Sequence, residues 1–181
     1  MIDLNHCNEW QHRDPSNGLV FPWYTKSFLD ELVTWELSDK TVLEIGLGAS
    51  TIWWAHKALY VTAFETDGEW FEAVNKQVTL DKCNVFLAKK GRLIGAVCEI
   101  VEDRKFDIAV IDCEPIEYRD KAIEVCVSFL KPGGKLIIDN WDQPSVWIPN
   151  DETRALLAPY SCKIYKQSGH LDWQTAVFTK I

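Results

Sequence analysis

Thr41-Val-Leu-Glu-Ile-Gly-Leu-Gly-Ala-Ser-Thr51 is an apolar run carrying one carboxylate, Glu44, that ends in two glycines before helix-forming sequence begins. Such a run is a buried strand delivered into a tight turn, where Gly46 and Gly48 allow backbone angles and close approaches that other residues forbid. A turn that opens a helix presents free backbone N–H groups, so the stretch reads as a nucleotide-type cofactor site. Its spacing matches the start of the dinucleotide fingerprint, but Thr51 stands where the third glycine would let helix and strand pack closely. By itself the glycine pair fits an unliganded strand-turn-helix connection equally well.

The neighbours narrow the choice. Tyr60-Val-Thr-Ala-Phe-Glu65-Thr-Asp67 reads as a second buried strand ending in an acid. An ionised carboxylate only accepts hydrogen bonds and can take both hydroxyls of a ribose, which NAD and S-adenosylmethionine share. With these residues in place the sequence resembles the class I S-adenosylmethionine-dependent methyltransferases. Their first motif runs acid-x-Gly-x-Gly, here Glu44-Ile-Gly46-Leu-Gly48, followed by an acid at the end of the second strand, here Glu65. The resemblance spans most of the chain. It implies an α/β fold of Rossmann-like, doubly wound type: a mostly parallel seven-stranded sheet with a C-terminal antiparallel hairpin. It also implies S-adenosylmethionine as cofactor, held by Glu44, Gly46, Gly48, Ser50, Thr51, Glu65, Thr66 and Asp112. Trp23-Tyr-Thr25, the strand motif and Thr51-Ile-Trp-Trp-Ala55 look like a subset of small methyltransferases whose substrates are mostly unassigned. In that reading Tyr24 and Thr25 lead into the amino end of a helix over Thr25 to Leu37, whose free amides favour a cofactor carboxylate.

Composition sets bounds. The 181 residues, 47% hydrophobic and 25% charged, suit one soluble domain, expected over residues 25–181 behind an arm at residues 1–24. No apolar run approaches a membrane span, and the first residues lack the basic and apolar regions of a secretory signal, so the expected location is cytoplasmic. A net charge of −8 argues against a broad nucleic-acid surface. The cysteines at positions 7, 83, 98, 113, 126 and 162 form no Cys-x-x-Cys pair and read as reduced thiols. In the arm, Trp10, His12 and Trp23 either border a substrate pocket or simply pack.

Strand and helix signals then alternate. Ser50 or Thr51 caps a helix through Ala58, Glu69 to Leu80 carries an apolar stripe in which Trp70 reads as core, and Asn84 to Ala88 is a short strand. Lys89-Lys-Gly91 after it lacks the acid that many relatives offer to adenine. A weak helix follows over Arg92 to Val101, a strand over Phe106 to Asp112, and a helix over Tyr118 to Leu130. Lys131-Pro-Gly-Gly134 turns the chain into a fifth strand ending at Asp139 and Asn140. Tyr160 to Lys166 and Trp173 to Thr179 form the closing hairpin, with His170 and Asp172 in a solvated turn. The segment Trp141 to Trp147 walls a substrate pocket or packs beneath its loop.

Ligands of open α/β sheets bind outside the carboxyl ends of the strands, and Glu44, Glu65, Asp112, Asp139 and Asn140 all fall there. Asp112, Asp139 and Asn140 are hard oxygen ligands of the kind magnesium, calcium or manganese takes. The trio resembles the metal site of catechol-type and caffeoyl-coenzyme-A-type O-methyltransferases. Those enzymes use a lysine three residues after the first aspartate, whereas here Asp112-Cys-Glu-Pro115 places a proline, leaving either Glu114 as the nearest substitute base or the metal alone. The expected function is methyl transfer to a small-molecule acceptor, at oxygen, with Asp112, Glu114, Asp139 and Asn140 at the reacting centre. A non-catalytic cofactor- or partner-binding module on the same fold is the alternative, and an NAD-dependent oxidoreductase is disfavoured by Thr51 and the hairpin. Oligomeric state stays open, with a homo-oligomer among the arrangements allowed.

Overall fold

The computed structural model describes residues 13–15, 18–78, 81–169 and 173–181. Trp10, His12, His170 and Asp172 lie outside the described residues. Seven strands form one sheet: β1 (Thr41–Ile45), β2 (Tyr60–Glu65), β3 (Cys83–Leu87), β4 (Phe106–Ile111), β5 (Leu130–Asp139), β6 (Ser161–Lys166) and β7 (Gln174–Thr179). Their order is β3-β2-β1-β4-β5-β7-β6, so the chain winds outward from β1 to one edge and returns past it to build the other. β1 to β5 pair in parallel, and β7 runs antiparallel between β5 and β6. The closing hairpin is thus inserted with its second strand innermost.

Parallel strands need both faces covered, which is why their sequences are continuous apolar runs. The period of two divides each strand between the layers. Leu43, Ile45, Ala109, Ile111, Leu136 and Ile138 meet α4 (Leu93–Val101), α5 (Arg119–Phe129) and α6 (Asp151–Leu157). Val42, Val61, Ala63, Ile108, Val110 and Ile137 meet α1 (Lys26–Leu32), α2 (Ala49–Lys57) and α3 (Gly68–Asn75). On the second face Trp53 and Trp54 are fully buried, ring centroids 4.9 Å apart and edge to face. Such a pairing adds about 1 kcal/mol to the burial of the rings themselves.

Four elements differ from the sequence expectation. β5 begins at Leu130 and takes in the Lys131-Pro-Gly-Gly134 expected as a turn. α1 stops at Leu32 instead of Leu37: Val33, Thr34 and Trp35 are weak helix formers, and the Thr34 hydroxyl donates to the Glu31 carbonyl at 2.7 Å. α3 ends at Asn75, short of the expected Leu80. α6 was not expected at all, although Asn150 caps it by accepting the Thr153 N–H at 2.7 Å and two acids fill its first turn.

The described part of the arm is pinned rather than loose. Asp14 is buried, and its Oδ2 lies 2.9 Å from both the Trp53 indole N–H and the Lys57 ammonium of α2. This anchor brings Trp23 and Tyr24 to the carboxyl ends of the strands.

Candidate functional site

β1 ends in the turn that the glycine pair announced, and the two glycines do different work. Gly46 has a φ of +100°, and a Cβ there would lie 2.2 Å from the Asp112 carbonyl oxygen. The crowding that requires glycine is therefore internal, between the ends of β1 and β4, and not against a ligand as the sequence suggested. At Gly48, which opens α2, a Cβ would meet only the Ser50 hydroxyl at 3.8 Å. The Thr51 hydroxyl accepts the Gly48 N–H at 3.1 Å, so Thr51 is a buried cap that serves the turn.

Gly48 lines a cavity of about 400 Å3 together with Trp23, Leu47, Ala49, Ser50, Glu65, Asp67, Trp70, Asp112 and Glu114. It opens at the carboxyl ends of β1, β2 and β4, where the order of winding reverses. Trp23 is 44% exposed on this wall. Trp70, expected in the core, reaches the cavity because Asp67 caps α3 by accepting the Glu69 and Trp70 N–H groups and so fixes the first turn beside the opening. Sequence periodicity cannot separate a cavity-facing indole from a core one.

Glu65 is held by the backbone. Its Oε1 accepts the N–H groups of Thr66 and Asp67 at 2.6 and 2.9 Å, and its Oε2 accepts that of Leu47 at 2.9 Å. The end of β2 is in this way tied to the glycine turn. The Thr66 hydroxyl donates to the Glu114 carbonyl at 3.0 Å, joining β2 to the chain beyond β4.

Glu44 departs from its expected place. The period of two sets it on the face of Val42, beneath α2, where it is fully buried and takes no part in the cavity wall. Its Oε1 accepts the Ser50 hydroxyl at 2.6 Å, and Oε2 has no hydrogen-bond partner among the described residues. Burial pushes its carboxyl up to about 8, against the Ser50 hydroxyl that pulls it down.

Tyr24 and Thr25 also lie deeper than expected. Both are fully buried. The Thr25 N–H goes to the Thr175 hydroxyl at 3.1 Å and the Lys26 N–H to Gln167 Oε1 at 2.8 Å. The amides reserved in the sequence for a cofactor carboxylate are taken by side chains of β7 and of the residue after β6. Thr25 Oγ1 is itself left without a partner among the described residues. The Tyr24 hydroxyl accepts the Trp54 indole N–H at 3.3 Å, and burial, with Glu44 next in weight, holds its phenol in the neutral form.

The ends of β4 and β5 form a second buried polar group. Asp139 Oδ1 accepts the Thr175 hydroxyl at 2.7 Å, with the Trp173 indole N–H at 3.3 Å. Burial first, and the Asp112 charge second, push the Asp139 carboxyl well above the usual range. Asn140 has a left-handed φ of 54°, a conformation asparagine tolerates, and its amide donates to Gln143 Oε1 at 2.8 Å. Arg119, which sequence reasoning missed, is 2% exposed and bonds to Asp112, Cys113 and Asp139. An arginine opening a helix reads as a solvated face, and nothing in its neighbours signals otherwise.

The divalent-ion expectation does not fit this arrangement. Asp112 Oδ1 is paired with the Arg119 guanidinium, Asp139 Oδ1 accepts from Thr175 and Trp173, and the Asn140 amide nitrogen donates within its own turn. Trp141 and Trp147 are buried, 5.7 Å apart and edge to face, and Trp141 packs on Phe178, so they support the loop from beneath.

No protein-family model matches the sequence, and no curated protein matches it. Solved structures do match in shape. The O-methyltransferase from Bacillus cereus in complex with S-adenosylhomocysteine has 21% identity over 84% of this chain and 79% of its own, with a TM-score of 0.64. The N-methyltransferase NodS from Bradyrhizobium japonicum has 17% identity over 85% and 93%, with a TM-score of 0.65. The precorrin 8W decarboxylase from Methanobacterium thermoautotrophicum has 15% identity over 97% and 100%, with a TM-score of 0.61. The chain therefore has the fold shared by class I S-adenosylmethionine-dependent methyltransferases of O- and N-methylating kinds.

Proposed function

We propose that the chain is an S-adenosylmethionine-dependent methyltransferase that methylates an oxygen of a small molecule in the cytoplasm. The observation that carries this reading is the charge of the cavity. Glu65, Asp67, Asp112 and Glu114 line it, and no lysine, arginine or histidine does among its described lining residues. A cofactor with a sulfonium and an ammonium suits such walls, whereas the pyrophosphate of a dinucleotide would face like charge. Bound there, the cofactor supplies an electrophilic methyl group.

The remaining work belongs to the chain's own side chains. Glu65 Oε2 takes one backbone N–H and keeps a second lone pair for a ribose hydroxyl. Gly48 leaves room on the wall, and Trp23 and Trp70 add apolar surface to it. Methyl transfer gains most from holding the acceptor in line. An oxygen acceptor must also lose a proton, and Glu114, exposed on the cavity wall, is the side chain placed to receive it. The five described cysteines are unpaired, which accords with a reducing compartment. No described helix is long and apolar enough to cross a membrane.

Incubation with methyl-labelled cofactor and fractionated small-molecule extracts tests this reading. Label should enter a low-mass product, and Glu114→Gln should lower turnover by about 10²-fold or more while changing S-adenosylhomocysteine affinity far less. A folded sample that binds the cofactor yet transfers no label to any fraction would instead be the non-catalytic module, a reading that Pro115 in place of the family's lysine keeps in view.

A further inference from the structure

Arg119 begins α5 but turns back under the sheet ends, where almost none of it meets solvent. Its guanidinium distributes its donors over two strand ends. Nε donates to the Cys113 carbonyl at 3.1 Å, Nη1 to the Asp139 carbonyl at 2.6 Å, and Nη2 to Asp112 Oδ1 at 3.1 Å. A guanidinium does not give up its charge, and removing it from water is costly unless paired and fully hydrogen-bonded. Here the charge is paired with Asp112, and each of the three nitrogens has one acceptor, from the chain after β4 or from the end of β5.

Those are the same two strand ends that the sequence assigned to a divalent ion. Such an ion gathers six or more oxygens and draws them inward. Instead the Asp139 carboxyl accepts from Thr175 and Trp173, and the Asn140 amide nitrogen donates to Gln143. The one shared acid, Asp112, gives Oδ1 to Arg119, while its side chain stays 31% exposed and lines the cavity. An added divalent ion would sit beside a fixed positive charge that has nowhere to move.

We propose that the Arg119 guanidinium is the resident cation of this site, a positioning residue that joins the ends of β4 and β5 and holds Asp112 at the cavity where a divalent ion would otherwise do so. These two strand ends therefore need no divalent ion to hold them together. Three kinds of donor geometry support this over a casual ion pair: a planar fork reaches one carboxylate and two main-chain carbonyls at once, which a lysine ammonium cannot reproduce with the same directions.

Manganese titration of the intact protein, followed by calorimetry, reads the claim directly and is independent of any methyl transfer. The wild type is expected to show no saturable binding up to millimolar concentration, and its thermal midpoint should be unmoved by manganese or by a chelator. Arg119→Ala should lower the midpoint by several degrees, and guanidinium ion at low millimolar concentration, or manganese, should restore part of it. The same ions should leave the wild type and the Arg119→Ala, Asp112→Asn double variant unchanged. A merely structural arginine would lose stability with no such recovery, and that result overturns the proposal. So does saturable manganese binding to the wild type that Asp112→Asn removes. Should Arg119→Ala not fold, the same recovery is read on Arg119→Gln, and its absence there overturns the proposal.

Discussion

At Gly46 and Gly48 the same residue type answers two different demands, and the difference is measurable. Gly46→Ala forces a Cβ to 2.2 Å from the Asp112 carbonyl and asks alanine to hold a φ of +100°. We expect a loss of about 3 kcal/mol or more in urea unfolding. Gly48→Ala meets nothing closer than 3.8 Å and keeps an extended backbone, so stability should fall by less than about 1 kcal/mol while a methyl group enters the cavity. Its signature is weakened S-adenosylhomocysteine binding by a protein that remains folded. Glu44 offers a second test. A carboxyl raised from about 4.3 when unfolded to about 8 when folded holds its proton more tightly in the folded state. Its contribution is intact below pH of about 4 and is lost as pH rises, by at most about 1.4 kcal/mol per unit. Glu44→Gln should flatten the decline in stability across that window, and an unchanged slope would refute the assignment. The spacing of these residues was legible in the sequence, but not their roles. Which neighbour crowds Gly46, and which face Glu44 takes, depend on the approach of β4 and α2 from elsewhere in the chain.

Elements show the same division. Continuous apolar runs made β1, β2 and β4 legible, since a strand covered on both faces has little else to be. α6 was missed although Asn150, Asp151 and Glu152 form a helix start, because only a short stretch with few apolar residues follows. α1 was read for its free amino end, which β7 and Gln167 in fact occupy. Such long-range bonds leave no local mark. The described arm is held to α2 by Asp14, whose carboxylate meets Trp53 and Lys57 in a buried setting. Asp14→Ala takes the acceptor from the buried Trp53 indole N–H and one ion pair from Lys57, so a loss of about 2 kcal/mol is expected. Limited proteolysis should then cut sooner within residues 13–24. Equal resistance in variant and wild type would show that Asp14 does not anchor the arm.

For the molecule as a whole, the strand order and the antiparallel β7 give the fold, and the fold alone does not give the reaction, as a decarboxylase of the same shape illustrates. The reaction has to be read from the site, an acid-lined cavity at the sheet's switch point, above a buried layer of Glu44, Tyr24, Asp139 and Arg119. Ligand binding to the folded form raises the thermal midpoint with concentration. The most direct measurement is calorimetric titration of the folded protein with S-adenosylhomocysteine and, in parallel, with NAD. The account predicts saturable binding of S-adenosylhomocysteine, diminished by Gly48→Ala, and none of NAD. Binding of NAD with no response to S-adenosylhomocysteine would contradict it.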